Sequence, residues 1–192
     1  MFLFLRLVLA HFIGDFYLQT NKVFALKHRG LPGGIPHMLL ILASFLVFAW
    51  PYLTIPKLLA FIFLLGLIHL LQDSIKVRHE GLKKHSFWFY VLDQLSHILF
   101  IATIFFTDLK ALEPPQATNI FISAYNNDFL VAYLIAIIAA TYNGFYLIYN
   151  FRVSFMAQNK QYSGAEKWQG ILERTVIVTF FGSAKLFLLL PL

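Results

Sequence analysis

The feature that most constrains this chain is a succession of six apolar stretches, at roughly residues 2–20, 37–55, 57–76, 86–107, 128–150 and 169–190. Each comes close to the about 20 residues that carry a helix across the hydrocarbon of a bilayer. In lipid, only helices and closed barrels satisfy their own backbone, and long apolar runs without alternation specify helices. The sequence therefore predicts an all-α integral membrane protein, six transmembrane helices in one bundle, forming a single transmembrane domain over residues 1–192. Composition agrees: 59% of residues are hydrophobic and 12% are charged, about half the charged share of an ordinary soluble domain. The absence of cysteine excludes disulfides, thiolate nucleophiles, Cys-ligated zinc and iron–sulfur clusters. Pro32, Pro36, Pro51 and Pro56 read as breakers in the connections. Pro114-Pro115 marks 108–127 as a loop, within which Asn119–Tyr125 reads as a short interfacial helix. The first stretch has neither the basic start nor the small-residue cleavage site of a signal peptide, so it is expected to be retained.

Loop charge sets the expected orientation. Lys22, Lys27 and Arg29 follow the first stretch; Lys76, Arg78, Lys83 and Lys84 follow the third; Arg152, Lys160 and Lys167 follow the fifth. The opposite connections offer Lys57 and Lys110. This asymmetry places both termini outside and the three basic loops in the cytoplasm. The net charge of +6 is then a matter of topology and anionic lipid, not of nucleic acid. Arg6, Arg174 and Lys185 fall within or near span ends, where long stems let charged heads snorkel.

Ionisable residues inside the spans are costly, and each is a functional candidate. His11 and Asp15 lie in the first span, His69 and Asp73 in the third, Asp93 and His97 in the fourth. Every pair is spaced i, i+4, on one helical face. Scattering 7 His and the Asp residues at random gives about 0.4 such pairs by template counting, against the three observed. Given the alternating direction of the spans, each Asp lies on the cytoplasmic side of its His. Three carboxylates then form one layer and three imidazoles the next, with Asp73 expected about 9 Å nearer the cytoplasmic loop than Asp93 at helical rise. His37 opens the second span, Glu173 and Arg174 lie one turn into the sixth, and Lys76 lies one turn below Asp73. Gln19, Gln72, Gln94 and Ser96 flank the pairs, whereas Tyr142, Asn143, Tyr146, Tyr149 and Asn150 read as packing and interface residues. His28, His79 and His85 read as solvated loop residues. Interhelical hydrogen bonding is the plain alternative for any single pair; for three together it leaves buried carboxylates without a partner or a proton.

Imidazole with carboxylate, and no thiolate, suits a divalent cation, zinc above others. The expected ligands are His11, Asp15, His69, Asp73, Asp93 and His97. Asp15, Asp73, Asp93 and Glu173 are the candidate catalytic carboxylates; Lys76, Arg174 and His37 are candidate substrate contacts. The sequence holds no His-Glu-x-x-His, P-loop, nucleophile elbow or glycine fingerprint.

The strings His11-Phe-Ile-Gly-Asp15-Phe-Tyr-Leu-Gln19, His69-Leu-Leu-Gln-Asp73-Ser-Ile-Lys76 and Asp93-Gln-Leu-Ser-His97 resemble the hallmarks of a family of small bacterial inner-membrane proteins known only as a domain of unknown function. The similarity extends over most of the chain, including Gly170-Ile-Leu-Glu173-Arg174, and implies a bacterial inner-membrane location. More loosely, the pattern is similar to membrane-bound metal-dependent hydrolases with His/Asp motifs on hydrophobic helices. The function expected is an intramembrane metal-dependent hydrolase taking a lipid-like substrate from the cytoplasmic side, with membrane lipid as its surroundings. The alternative is a small cation or proton-coupled transporter, or a transporter subunit, using the same cluster. One-sided polarity favours the hydrolase, since beyond His11 and His97 the outward halves are apolar apart from Arg6, Thr103 and Lys185.

Overall fold

The computed structural model describes residues 1–80, 87–156 and 164–189. Lys83, Lys84, His85 and Lys160 lie outside the described residues, as do the side chains of His79 and Lys185. Among the described residues all regular structure is helical. Helix α1 (Phe2–Phe12) continues as a π-helical turn (Ile13–Tyr17); α2 (Asn21–Lys27), α3 (Leu31–Phe48), α4 (Pro56–Glu80) and α5 (Phe87–Ala102) follow. Beyond α5 come α6 (Ile120–Asn126), α7 (Asp128–Ile138), a second π turn (Ala139–Asn143), α8 (Gly144–Phe155) and α9 (Gly164–Leu189).

Leu31–Phe48, Pro56–Arg78, Phe87–Phe106 and Asp128–Phe155 are long and apolar enough to cross a membrane, with mean hydropathies of 1.6 to 2.0. Phe2–Tyr17 and Asn21–Lys27 qualify together but meet at a bend of 93°. Large apolar side chains such as Val47, Phe63, Leu99 and Phe180 face outward, as a lipid-facing surface requires.

Helix α1 is the centre of the packing. Leu7, Leu9 and Ala10 are buried, and Ile41 and Phe45 of α3, Leu58, Ile62 and Leu65 of α4 and Ile101 of α5 close around the same core. Gly14 sets the closest approach. A Cβ there would lie 2.6 Å from Ile41 Cδ1 and 3.3 Å from Ile41 Cα, so only a residue without one lets α1 and α3 meet at this level.

Three local features differ from the expectation. The segment following the first span is not a loop. Thr20 accepts a hydrogen bond from the Val23 backbone N–H and caps α2. Gly30, at φ +85°, then turns the chain into α3. That helix begins at Leu31, not at residue 37. Pro32 stands in the first turn, where its missing N–H has no partner to lose, and Pro36 gives up one hydrogen bond without ending the helix. Helix α4 runs to Glu80, so Lys76 and Arg78 are helical residues.

At the opposite end of α1, Asn119 caps α6 by accepting from Ile122 N–H at 3.0 Å. Tyr125 donates to Phe48 O at 2.8 Å, and Tyr52 donates to Glu113 O. Burial raises both phenols above their ordinary value, which keeps them donors at neutral pH.

Candidate metal centre

Asp15 lies in the π turn that continues α1. The widened turn presents the carboxylate to α3, where Asp15 Oδ1 lies 3.1 Å from His37 Nε2. Because α3 starts early, His37 stands about a turn and a half inside its helix and is fully buried. From α4, His69 Nε2 lies 3.0 Å from His37 Nε2. Asp73 Oδ2 lies 3.3 Å from His69 Nε2 and 3.5 Å from His37 Nε2, and His69 Nε2 lies 4.0 Å from Asp15 Oδ1.

Two ring nitrogens and two carboxylate oxygens thus converge in a buried space. Each nitrogen has at most one proton to offer, so N–H donation satisfies only part of these contacts and the rest set lone pair against lone pair. A cation among them relieves this opposition of lone pairs. Donors placed about 2.0–2.1 Å from a tetrahedral zinc stand about 3.3 Å apart, and the five nitrogen–nitrogen and nitrogen–oxygen separations, out of six pairs among these atoms, span 3.0 to 4.0 Å. These buried Asp and His groups could hold a metal ion, as Asp15 with His37 and His69, or as His69 with Asp73 and His97.

Around this centre lies a shell of charge and hydrogen bonds. Lys27, buried, reaches from α2 to Asp73 Oδ2 at 2.7 Å. Gln94 Nε2 donates to Asp15 Oδ2 at 3.1 Å and lies 3.3 Å from Asp93 Oδ2, and the Gln19 amide can donate to Asp15 Oδ1 at 3.3 Å. Asp93 binds Lys76 at 2.7 Å. Three carboxylates whose side chains are only 6 to 8% exposed therefore meet two ammonium groups, one positive charge short of balance with neutral imidazoles. Such an excess requires a cation or a proton.

The depth order differs from the expectation. His69 stands beside His97 (ring centroids 4.3 Å apart), Gln72 donates to Ser96 at 2.6 Å, and Lys76 meets Asp93. Asp93 is consequently a turn nearer the α4–α5 connection than Asp73, not deeper. The expected depth counts from a helix end at residue 76, four residues too early. On the other side, His11 stacks with His97 at 5.0 Å and lies 5.5 Å from His69. These imidazoles line a small cavity with Gln72. His11 Nε2, both ring nitrogens of His97 and Gln72 Oε1 have no hydrogen-bond partner.

The structure thus brings Asp15, His37, His69 and Asp73 together, sets His11 and His97 on one side and Asp93 with Lys76 on the other. Lys76 is engaged by Asp93. Glu173 is exposed and accepts from Gln169 at 3.0 Å; α9 packs on α7 and the second π turn, which turns this carboxylate outward. Arg174 faces that same turn, donating to Thr141 O at 3.4 Å. His28 is exposed, edge-on to Phe24. Sequence reasoning missed Lys27 as a partner of Asp73 and placed His37 among substrate contacts. For His37 the packing supplies what the sequence does not: residues 37, 41 and 45 share one stripe of α3, and the structure buries all three.

The class defined by these features is a helical protein with membrane-length apolar helices and a buried His/Asp centre capable of holding a metal. The chain belongs to the family described as protein of unknown function (DUF3307), which matches residues 3–126. That span contains every residue of the centre and ends before Gly170–Arg174. No curated protein and no solved structure matches the chain.

Proposed function

We propose that this protein is an intramembrane hydrolase of the bacterial inner membrane, dependent on a divalent cation, zinc by preference, and acting on a lipid-like substrate from the cytoplasmic side. The observation that carries this function is the convergence of Asp15, His37 and His69, with Asp73 against both imidazoles, at separations suited to metal ligands. A cation held there supplies a Lewis acid that polarises a phosphoryl or carbonyl oxygen and acidifies water. Gln94 and Gln19 orient Asp15, and Lys27 orients Asp73 while offsetting its charge. With Lys27, Lys76 and a divalent ion against three carboxylates, the centre carries one net positive charge, which suits an anionic substrate. The topology that goes with this function has six spans, both termini outside and the basic connections in the cytoplasm. In it α9, about 39 Å long at helical rise, supplies the sixth span. Elemental analysis of the purified chain tests the proposal. We expect about one equivalent of zinc, held by three protein donors with a fourth position open to water, lost in Asp15→Asn, Asp73→Asn and His37→Ala; a chain purified and loaded with zinc that retains none refutes it.

A proton- or cation-coupled transporter is the second reading. A specific observation favours it: a line of polar groups runs from Lys76 and Asp93 through the Gln94 amide to Asp15, His37 and His69, and on to His97 and His11. Chains of this kind suit proton relays. Proton uptake by proteoliposomes, abolished in His97→Ala and without hydrolysis of lipid esters, would select it.

A further inference from the structure

Arg174 is a charged group whose surroundings do not account for its charge. Its side chain lies in the seam between α9 and the Thr141–Tyr146 segment. There Nη2 donates to Thr141 O at a weak 3.4 Å, and Nε is buried without a partner. Among the described residues no carboxylate stands within ion-pair distance of it, and the adjacent Glu173 is turned outward onto Gln169. A guanidinium carries five N–H donors in a fixed fork, and holding that charge beside apolar helices without an anion is costly.

The seam is shaped to hold the fork. A Cβ on Gly170 would stand 3.2 and 3.3 Å from Arg174 Nη1 and Nη2, and one on Gly144 would stand 3.8 Å from its Nε. Two glycines from two helices thus leave the guanidinium lying in the groove. Two turns earlier on the same face of α9, Lys167 holds its ammonium 5.5 and 5.6 Å from the ring centroids of Phe145 and Tyr146, the residues directly after Gly144. Two cations therefore flank one short segment of α8.

We infer that Arg174 and Lys167, in the seam floored by Gly144 and Gly170, bind the phosphate of an anionic ligand. A planar guanidinium whose Nε has no partner and whose Nη2 is only weakly engaged matches phosphate oxygens in a bidentate manner, and an ammonium two turns away adds a second positive charge. The chemistry is that of a phosphate group, whether on a phospholipid headgroup or free. The site is distinct from the Asp15–His37–His69–Asp73 centre and does not depend on a metal being bound there.

The test uses the purified full chain in detergent, titrated with phosphatidylglycerol, phosphatidylcholine and inorganic phosphate and read by native mass spectrometry. We expect phosphatidylglycerol to be retained over the zwitterionic lipid, and Arg174→Gln to weaken that retention about tenfold. Gly170→Ala, which pushes the fork out of the groove, and Lys167→Gln should each weaken it less. Displacement of the lipid by inorganic phosphate assigns recognition to the phosphate itself; lipid retention without displacement assigns it to the headgroup. Stripped of lipid, Arg174→Gln should melt at a higher temperature than the wild type, a sign opposite to that of a guanidinium serving only as a structural donor. Lys57→Gln, which removes an exposed cation outside both sites, should leave lipid retention unchanged, which separates the seam from positive charge in general. Equal retention of the two lipids, or unaltered retention in Arg174→Gln, overturns the proposal.

Discussion

Helix α1 buries charge at both of its ends, and the two ends solve the problem differently. At its start, Arg6 is fully buried, yet its donors are occupied. Nη1 bonds Phe2 O and Asp128, Nε and Nη2 bond Tyr125 O, and the guanidinium stands 3.6 Å from the Phe2 ring. At its other end, Asp15 belongs to a cluster in which imidazole nitrogens face one another at 3.0 Å and several ring nitrogens have no partner. The first end is a finished structural joint, tying α1 to α6 and α7. The second is polar in excess of what the fold needs, and a buried polar group left unbonded detracts from stability. Charge burial alone does not distinguish the two; hydrogen-bond satisfaction does.

The largest effect expected from this contrast is on metal content. Asp73→Asn should lower affinity for zinc more than about 100-fold, beyond what loss of an outer partner costs, while leaving a folded, membrane-extractable protein. Equilibrium dialysis against a zinc buffer measures it; unchanged affinity would make the Asp73–Lys27 pair as structural as the Arg6 joint. The converse variant is Arg6→Met. Two backbone carbonyls lose their donor and half-exposed Asp128 loses its partner, a loss of about 3 kcal/mol, with zinc binding untouched. Thermal unfolding in detergent and zinc titration on the same sample check both halves, and a loss of zinc binding in this variant would dissolve the distinction between the ends.

A smaller effect is expected where the ends communicate, at Gly14. Adding a methyl group forces Ile41 Cδ1 from 2.6 Å to ordinary contact, a cost of about 1–3 kcal/mol for overpacking. Because the displaced backbone carries Asp15 past His37, zinc affinity should fall as well. Gly14→Ala with full zinc affinity would mean that the π turn, and not the close approach of α3, positions the carboxylate.

What can be read from the sequence follows from the same physics. Apolar length marks helices, so the positions of α3, α4, α5 and the α7–α8 helix are legible, and the three His/Asp pairs stand out because lipid makes each expensive. The inward faces are less legible. Helices apolar all round carry no stripe to tell core from lipid, so nothing singles out the buried side of α3, and His37 reads as a residue at the membrane edge. The π turn at Ile13–Tyr17, which carries Asp15 to His37, is not legible either, because no residue type signals such a turn. Lys27 reads as a loop charge because it precedes Arg29 and Gly30, whereas its helix folds back at 93° and inserts it.

The smallest effect expected is at His11, and its sign matters more than its size. This imidazole is buried against His97 and His69, and its Nε2 has no partner. If the residue served the fold as Arg6 does, replacing it would break bonds and lower stability. With that nitrogen unbonded, His11→Leu exchanges an unsatisfied polar atom for an apolar group of similar size, which is neutral or stabilising within about 1 kcal/mol. Zinc should still bind, because the four converging donors do not include His11. The loss should fall on function, as lipid-ester hydrolysis or proton movement through the imidazole line, a trade of stability for activity. Unfolding curves, zinc titration and the two activity assays on this variant decide the matter. A destabilisation above about 2 kcal/mol would mean that ordered water completes the bonding of His11, and that this end of α1 is a structural joint too.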